Sequence, residues 1–264
     1  MGEARKDALR VICDRSVKLE FHGSTISSNG GLLAYRELDE AFALTTMGDE
    51  VLTDLRTGSN IQHSLTALLR QSIYSRLAGY DDTNDAERLS IDPVMRQVVG
   101  GRAVDHRAAS TSQMARFETK VLTQPTNLSA LIDLTRKWVD CVRQTKPIKK
   151  LILDLDSSVS ETYGQQEGSQ YNGHFGCECY HPLSCFNQDG DVEGAMLRNG
   201  NVASAHDWPV VLVPVVERYR DLDIRKLFRG DARVRHRRSV RVPGSRGLYR
   251  CHPSAGQRRA LSGN

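Results

Sequence analysis

Two aspartates at the end of an apolar run are the residues of this sequence best suited to chemistry. Asp154 and Asp156 close the segment 151–156, which is otherwise aliphatic. In a β-strand, residues i and i+2 lie on one face, so the pattern predicts two carboxylates directed the same way. Like charges placed together repel, and a hard cation such as Mg2+ would remove that cost. The alternative is that one aspartate faces solvent and the other caps the following turn.

A third carboxylate, Asp231, follows a second short apolar run at residues 224–228. Two strand-end carboxylates from distant parts of one sheet are what two-metal phosphoryl transfer requires, with the ions roughly 3.5–4 Å apart. A further carboxylate usually completes such a site. The three aspartates are therefore candidates for one metal-dependent centre.

Cysteine and histidine are concentrated between His174 and Cys185, which raises the possibility of zinc. Structural zinc sites favour cysteine pairs separated by two to four residues, whereas Cys177 and Cys179 are separated by one residue in a predicted strand. We therefore favour sheet residues over zinc ligands here. The neighbouring polar loops, which include Asn172 and His174, either contact substrate or are simple turns.

The elements that precede these residues are predicted to be mainly helical over 30–145. Helices are expected from about residue 31, over 61–77, as two short helices over 85–99, over 111–122 and over 128–142. Ser110 and Gln113 have the spacing of a capping box. The helix after Ser110 presents Ser112, Gln113 and Arg116, which suit phosphate and base-edge contacts, although a plain surface helix is the alternative.

At residues 146–150 the hydrophobic period changes from helical to strand-like, which predicts a domain boundary. Strands are expected over 151–156, 175–180, 183–187 and 192–198, followed by a helix over 206–219 and a strand over 224–228. The sequence thus predicts an α/β chain with a helical region 1–145 and a β-rich region 146–232.

Charge is distributed unevenly along the chain. The net charge is +4, but residues 233–264 contain nine arginines and no aspartate or glutamate, so residues 1–232 carry a net negative charge. The basic character is a property of this Arg-rich segment, which we expect to be disordered. The absence of an apolar run near 20 residues, or of a secretory signal, predicts a cytoplasmic protein with no membrane partner.

Short motifs occur in a defined order along residues 17–232. They are Phe21-His22-Gly23, Leu77-Ala78-Gly79-Tyr80-Asp81-Asp82, Ser112-Gln113 with Arg116-Phe117-Glu118, Asp154-Leu155-Asp156-Ser157-Ser158, Tyr171-Asn172-Gly173-His174, Cys179-Tyr180-His181-Pro182-Leu183 and Leu197-Arg198 with Gly200-Asn201-Val202. Together they resemble the DDE transposases of bacterial insertion sequences, specifically the insertion-sequence 1380 family.

The resemblance implies a helical DNA-binding part followed by an RNase H-like catalytic domain that uses three acidic residues and two Mg2+ ions. The first acid maps onto Asp156, with Asp154 as the competing choice, and the second onto Asp231. The third, a glutamate on a later helix, has no counterpart. Ser112, Gln113, Arg116, Asn172 and His174 are the expected DNA contacts. The implied partners are the terminal inverted repeats, target DNA, and a second copy or a full-length transposase, at the nucleoid.

The departure from the family begins at Arg233. When the segment from Arg233 onward is back-translated with suitable codons and the reading frame is shifted by one nucleotide, it can encode an amphipathic helix followed by a strand. This result suggests a frameshift near codon 232. A programmed frameshift and a genuine basic arm are the rivals.

The expected function is therefore a truncated DDE transposase that has lost strand-transfer activity. The alternative function is a non-catalytic DNA-binding protein that occupies the element ends and inhibits the full-length enzyme.

Overall fold

The structure is a computed structural model that describes residues 9–14, 16–19, 28–57, 61–164, 166–204 and 206–230 and the backbone of 239–240 and 249–252. The chain divides into two compact units, residues 1–134 and 135–264. The division lies inside a long helix, α7 (Pro125–Thr145), and the domain boundary expected after residue 145 stays a prediction. The hydrophobic period changes where this helix ends, and its first residues pack with the core of the first unit.

The described part of the first unit is helical after one short antiparallel pair, β1 (Leu9–Arg10) and β2 (Lys18–Leu19). Before α7 its helices are α1 (Leu32–Phe42), α2 (Leu44–Val51), α3 (Leu65–Leu77), α4 (Ala86–Leu89), α5 (Pro93–Val99) and α6 (Thr111–Arg116). The prediction of a mainly helical region is confirmed. The expected helix over 61–77 begins later, at Leu65, because the Ser64 hydroxyl caps it by accepting from the Ala67 amide at 3.2 Å.

A buried carboxylate, Asp39 on α1, connects three helices of this unit. It accepts hydrogen bonds from the backbone and hydroxyl groups of Thr45, at 2.8 and 2.5 Å, and from the Tyr74 hydroxyl at 3.1 Å. Arg36 neutralises it at 3.1 Å. Burial and the charge of Asp39 raise the pKa of Tyr74 well above its ordinary value, so this hydroxyl remains a donor.

The second unit is built on a six-stranded sheet with the order β10-β11-β9-β3-β7-β8. Its strands are β3 (Lys150–Ser157), β7 (Leu183–Phe186), β8 (Val192–Met196), β9 (Arg225–Gly230), β10 (Ser239–Val240) and β11 (Tyr249–His252). β3, β7 and β8 are consecutively antiparallel, and β9 returns parallel to β3. The connection to β9 passes through α8 (Trp208–Arg218).

The core of this unit lies between one face of the sheet and α8. Leu151, Leu153 and Leu155 of β3 are at most 5% exposed and share a cluster with Val211, Leu212, Val215 and Val216 of α8. Gly194 on β8 allows this contact, since a Cβ there would lie 3.3 Å from both Val211 and Val215.

A separate three-stranded sheet lies between β3 and β7 in the chain. It consists of β4 (Ser160–Glu161), β5 (Gln170–Asn172) and β6 (Cys177–Tyr180), with β6 in the centre. Gly200 packs so closely that a Cβ would overlap the carbonyl oxygens of Gln170 and Cys179. β4 and β5 have no clear hydrophobic pattern, which is why the sequence did not indicate them.

The Arg-rich segment differs from the expectation of disorder at six positions. β11 pairs in parallel with β9, and β10 pairs with β11, so residues 239–240 and 249–252 extend the sheet. An unpaired β9 edge offers free backbone donors and acceptors, and β11 satisfies them. The rest of 231–264 lies outside the described residues.

A buried ionic cluster surrounds Glu193 on β8, which is 0% exposed. Its carboxylate accepts from Arg143 at 2.7 Å, from Asn187 at 2.9 Å and from the Tyr219 hydroxyl at 2.9 Å, and it pairs with Arg218. Such a cluster stabilises the fold only while all of its charged partners are present, because a buried charge that loses its partner remains desolvated.

We predict that Glu193→Ala destabilises the second unit by about 3–5 kcal/mol, because Arg143 and Arg218 would be buried without their counter-charge. Both tryptophans, Trp138 and Trp208, belong to this unit, so urea denaturation followed by tryptophan fluorescence measures it. Glu178→Ala, at an exposed glutamate of β6, is the matched control. Equal midpoints for the two variants would contradict the prediction.

Candidate functional site

The two aspartates of β3 lie on the same face of the strand, as their spacing predicted. Burial alternates along β3, with the leucines buried on one face and Ile152, Asp154 and Asp156 more exposed on the other. Asp154 is opposite Phe186 and Asp156 is opposite Ser184 on β7. The two carboxylates nevertheless have different surroundings.

Asp154 forms an ion pair with Arg229 of β9. Arg229 lies directly across the parallel ladder, and its Nε donates to Oδ1 of Asp154 at 2.5 Å while a terminal nitrogen contacts Oδ2. This two-point geometry engages both oxygens of the carboxylate. The pair is partly open to solvent, with side chains 29% and 36% exposed. The sequence contains no sign of this contact, because it depends on the register of two strands 75 residues apart.

Asp156 is exposed and has a local contact at its carboxylate: Oδ1 accepts from the Ser157 amide at 3.0 Å. No described basic side chain pairs with it. A carboxylate with free lone pairs near the carboxyl end of a strand is available to a ligand. Of the two aspartates on β3, Asp156 is therefore the one with coordination capacity to spare.

Asp231 lies outside the described residues. It directly follows Gly230, the last residue of β9, and Gly230 is paired with Leu155, the neighbour of Asp156. Successive Cα atoms are about 3.8 Å apart, so the covalent chain keeps Asp231 close to this strand end. Within the described residues, no group of three or more His, Cys, Asp or Glu side chains could hold a metal ion.

The cysteine pair on β6 has two distinct environments. Cys179 is fully buried and Cys177 is partly exposed. Burial raises the pKa of the Cys179 thiol, with Cys177 adding to the effect, so the protonated form is favoured. Metal ligation would require the thiolate.

Asn172 and His174, both expected to contact DNA, have different roles in the structure. Asn172 is buried: its amide nitrogen donates to the Gly200 carbonyl at 2.5 Å, and its oxygen accepts from the His174 amide at 2.9 Å. Its polar atoms thus organise the turn between β5 and β6. His174 is exposed, with its ring edge-on to Phe175 at 5.0 Å. Of these two residues, His174 has a surface that a ligand can reach.

The helix expected to face DNA begins with the predicted capping box. The side-chain oxygen of Gln113 accepts a hydrogen bond from the Ser110 backbone amide at 2.9 Å, which confirms the capping box. This hydrogen bond occupies the oxygen of the Gln113 side chain. Ser112 and Arg116 are exposed, and the Nε of Arg116 donates to the Ser112 carbonyl at 2.9 Å. After Arg116 the helix continues as a π-helical segment, Phe117–Leu122, which the sequence did not indicate.

Two cavities of the first unit adjoin this helix. One, of about 440 Å³, is lined by residues from 56 to 68 and from 113 to 121. The other, of about 340 Å³, is lined by residues from 62 to 63 and from 87 to 116. Gln62, His63, Gln113 and Arg116 line both. His63 was missed by the sequence analysis, because a lone histidine before a helix has no distinguishing pattern.

Comparison with known proteins identifies a family. A family model described as Transposase DDE domain group 1 matches residues 9–247. The matched range includes both aspartates of β3 and Asp231, and it runs past Arg233 into the Arg-rich segment. No curated protein and no solved structure matched the chain.

Burial lowers the pKa of His63, and the charges of Arg102 and Arg56 lower it further. The unfolded chain therefore binds more protons here than the folded chain near the ordinary histidine pKa of about 6.5. We predict a stability contribution that is present above about pH 6.5 and is lost as the pH falls through the lower, folded pKa.

Urea denaturation followed by far-ultraviolet circular dichroism, from about pH 7.5 to about pH 5, measures this contribution. His63→Gln should lose stability less steeply on acidification than the unmodified chain does. His106→Gln, at an exposed histidine, is the matched control and should retain the original slope. Identical slopes for all three chains would refute the assignment.

Proposed function

The chain belongs to the family of transposases with a DDE domain of group 1, and we propose that it is a transposase of an insertion sequence whose metal site lies at the ends of β3 and β9 and whose strand-transfer activity is impaired. The observation that carries the proposal is the adjacency of two carboxylate-bearing strand ends. Asp156 lies near the carboxyl end of β3, and Asp231 follows the carboxyl end of the parallel neighbour β9. Ligands of open α/β sheets commonly bind at this edge.

The topology of the second unit supports an RNase H-like catalytic domain, the fold that the resemblance implies. β3, β7 and β8 form an antiparallel meander, α8 crosses over, and β9 and β11 continue the sheet in parallel with β3. In this arrangement β3 is an inner strand, and its acidic face is opposite to the face covered by α8. The catalytic face is then the one that carries Asp154 and Asp156.

We assign Asp156 as the first catalytic acid and Asp231 as the second. Asp154, the competing candidate, has both oxygens engaged by Arg229, whereas Asp156 keeps free lone pairs. Members of this family generally use a divalent metal such as Mg2+, and exposed carboxylate oxygens suit that ion. When bound, the metal supplies charge stabilisation for the attacking and leaving oxygens of a phosphodiester.

Arg229 has a positioning role in this proposal. By neutralising Asp154, it reduces the negative charge beside Asp156 without occupying Asp156 itself. It also removes one of two adjacent carboxylates from competition for the cation. Asp156 is then the one carboxylate of β3 that is available to bind the cation, together with Asp231.

We further propose that residues 1–264 by themselves carry out strand transfer poorly. The resemblance implies a third acid, a glutamate on a later helix, and residues 232–264 supply no aspartate or glutamate for that role. A cage of two carboxylates binds metal more weakly than a cage of three. The proposed partners are inverted-repeat and target DNA and a second transposase chain, in the cytoplasm where this DNA lies.

The frameshift near codon 232 stays a prediction, and two observations bear against it. The family match extends to residue 247, and β11 pairs in register with β9. A segment translated out of frame is not expected to match the family model or to pair in register with β9. The nucleotide sequence downstream of codon 225, read in all frames, decides the matter through the presence or absence of a continuing transposase reading frame.

A second candidate function, the non-catalytic occupation of element ends, is favoured by the cations that line the two cavities of the first unit. Arg116 and Lys120 line the larger cavity, and Arg102 and Arg116 line the smaller one together with Glu87. Residues 1–232 are nevertheless acidic overall. Inhibition of a full-length transposase by sequence-specific, salt-resistant binding to inverted repeats would support this alternative.

We predict that Asp156→Asn weakens Mn2+ binding, measured by electron paramagnetic resonance, at least about tenfold, because loss of a direct ligand exceeds the loss seen when a supporting residue is removed. Asp231→Asn should have a similar effect. Glu178→Gln, at an exposed glutamate of β6, is the matched control and should change the affinity little. A large effect of Asp154→Asn with none from Asp156→Asn would reverse the assignment.

We also predict that the purified chain joins labelled element-end DNA to a target plasmid at a rate indistinguishable from that of the Asp156→Ala variant in Mg2+. Gel electrophoresis of the products measures joining directly. Efficient joining that Asp156→Ala abolishes would overturn the proposal of poor activity while supporting the metal site.

A further inference from the structure

We propose that Arg198 is a positioning residue that holds the carboxyl end of β3, and with it Asp156, through the backbone of His181. Arg198 follows the end of β8, belongs to one of the short motifs of the sequence and is 5% exposed. This inference rests on the proposed function, because that function makes Asp156 a metal ligand. It gives a role to a buried cation that lies outside the metal site.

The hairpin of β3 and β7 continues beyond the six-stranded sheet. Ser157 pairs with Leu183 at the end of β3, and Ser160 pairs with Tyr180 at the start of β4, so β4 and β6 keep the register of β3 and β7. The three-stranded sheet is therefore the continuation of the same hairpin past an interruption of two residues on each strand. This interruption begins directly after the strand end that carries Asp156.

Pro182 lies in the interruption. It has no backbone N–H to donate to a ladder, and its carbonyl accepts from the Ser158 amide at 3.2 Å. Where a strand loses ladder hydrogen bonds, other donors must satisfy its carbonyls and fix its direction. The position of Ser158, and hence of the strand end with Asp156, therefore depends on what holds residues 181–182.

Arg198 holds the residue before Pro182 on both sides of its backbone. The bridge between Tyr180 and Asn199 has the register of β7 and β8, which places Arg198 directly opposite His181. The His181 amide donates to the Arg198 carbonyl at 2.9 Å, and the Nε of Arg198 donates to the His181 carbonyl at 2.9 Å. One residue thus engages both backbone polar groups of His181.

The rest of this guanidinium binds the loop before α8. Its Nη1 donates to the His206 carbonyl at 2.7 Å, with longer contacts to the carbonyls of Ala203 and Ser204 at 3.4 and 3.3 Å. The His181 ring contacts the same loop, because its Nδ1 lies 3.0 Å from the Val202 carbonyl. The loop and the interruption are therefore fastened to each other by one planar group and one ring.

The contacts of Arg198 indicate that its geometry, and not its charge, is what the fold uses. Within the residues that the structure describes, its hydrogen bonds go to carbonyls and no carboxylate forms an ion pair with it. Burial lowers the pKa of Arg198, and the charge of Asp207 opposes this effect. Lysine carries the same charge but lacks the planar fork that reaches carbonyls on two segments. Arg198→Lys therefore separates the two contributions.

Hydrogen exchange of the full chain without metal, measured by nuclear magnetic resonance, tests the contact directly. Arg198→Lys should speed exchange of the Ser158 and His181 amides, whose acceptors are the carbonyls of Pro182 and of residue 198. Exchange at Phe228, in the buried part of β9, should be unchanged. Equal acceleration at all three amides would show a loss of stability of the whole unit and would overturn the proposal, as would unchanged exchange at Ser158.

Two further variants keep this test interpretable. Arg220→Lys is the matched control, because Arg220 pairs with Glu217 of α8 at 3.2 Å, away from the interruption, and it should leave all three rates unchanged. His181→Gln removes the ring contact to Val202 and keeps Arg198. It is the milder variant for use if Arg198→Lys does not fold, and it should speed exchange at Ser158 and not at Phe228.

Mn2+ binding connects this contact to Asp156. Removal of a residue that orients a metal ligand typically weakens metal binding about 10- to 100-fold, so Arg198→Lys should weaken Mn2+ binding, measured by electron paramagnetic resonance, at least about tenfold. In a chain that already carries Asp156→Asn, the same substitution should change the affinity less than about twofold, because its effect passes through Asp156. Equal weakening in both backgrounds would overturn the proposal.

The two measurements separate this inference from the function on which it rests. If Asp156→Asn leaves Mn2+ binding unchanged, the proposed metal site is wrong, whereas the Ser158 amide still reports whether Arg198 holds the strand end. If Asp156→Asn weakens Mn2+ binding and Arg198→Lys does not, the metal site stands and the positioning role of Arg198 is overturned.

Discussion

The period of two in a β-strand is the constraint on which the second unit depends. It places Leu151, Leu153 and Leu155 of β3 against α8 and thereby commits Asp154 and Asp156 to the opposite face. Two carboxylates on one face repel, and the fold reduces this cost with Arg229 from the adjacent strand. The parallel register that brings Arg229 to Asp154 also pairs Gly230, the residue before Asp231 in the sequence, with Leu155.

Much of the fold was predictable because it follows from local signals. The capping residues Asp92 and Ser110 start helices by hydrogen bonds within one turn, and the aliphatic run 151–155 specifies a buried strand without reference to any partner. The helix expected over 128–142 is α7, which extends three residues further at each end. The division of the chain within α7 was not predictable. In a continuous helix, no local signal marks the residue at which the side chains leave one hydrophobic core and join another.

The candidate site was predictable in its residue types and not in its contacts. The shared face of Asp154 and Asp156 follows from their spacing, but the capture of Asp154 by Arg229 follows from register, which spans 75 residues. Asn172 was expected at a DNA surface and is buried instead, since its side chain satisfies backbone groups of the turn and of Gly200. His63 gains its significance only from the arginines that the fold places around it. The net charge of +4 is similarly misleading, because it comes from the nine arginines of residues 233–264, whereas residues 1–232 carry a net negative charge.

We assign the metal site to Asp156 and Asp231, and not to Asp154. Anomalous diffraction from crystals soaked in Mn2+ locates the ion. We expect an anomalous peak between the carboxylates of Asp156 and Asp231, with the ion pair of Asp154 and Arg229 intact. A peak on Asp154 with Arg229 displaced, or the absence of any peak at Asp156, would contradict it.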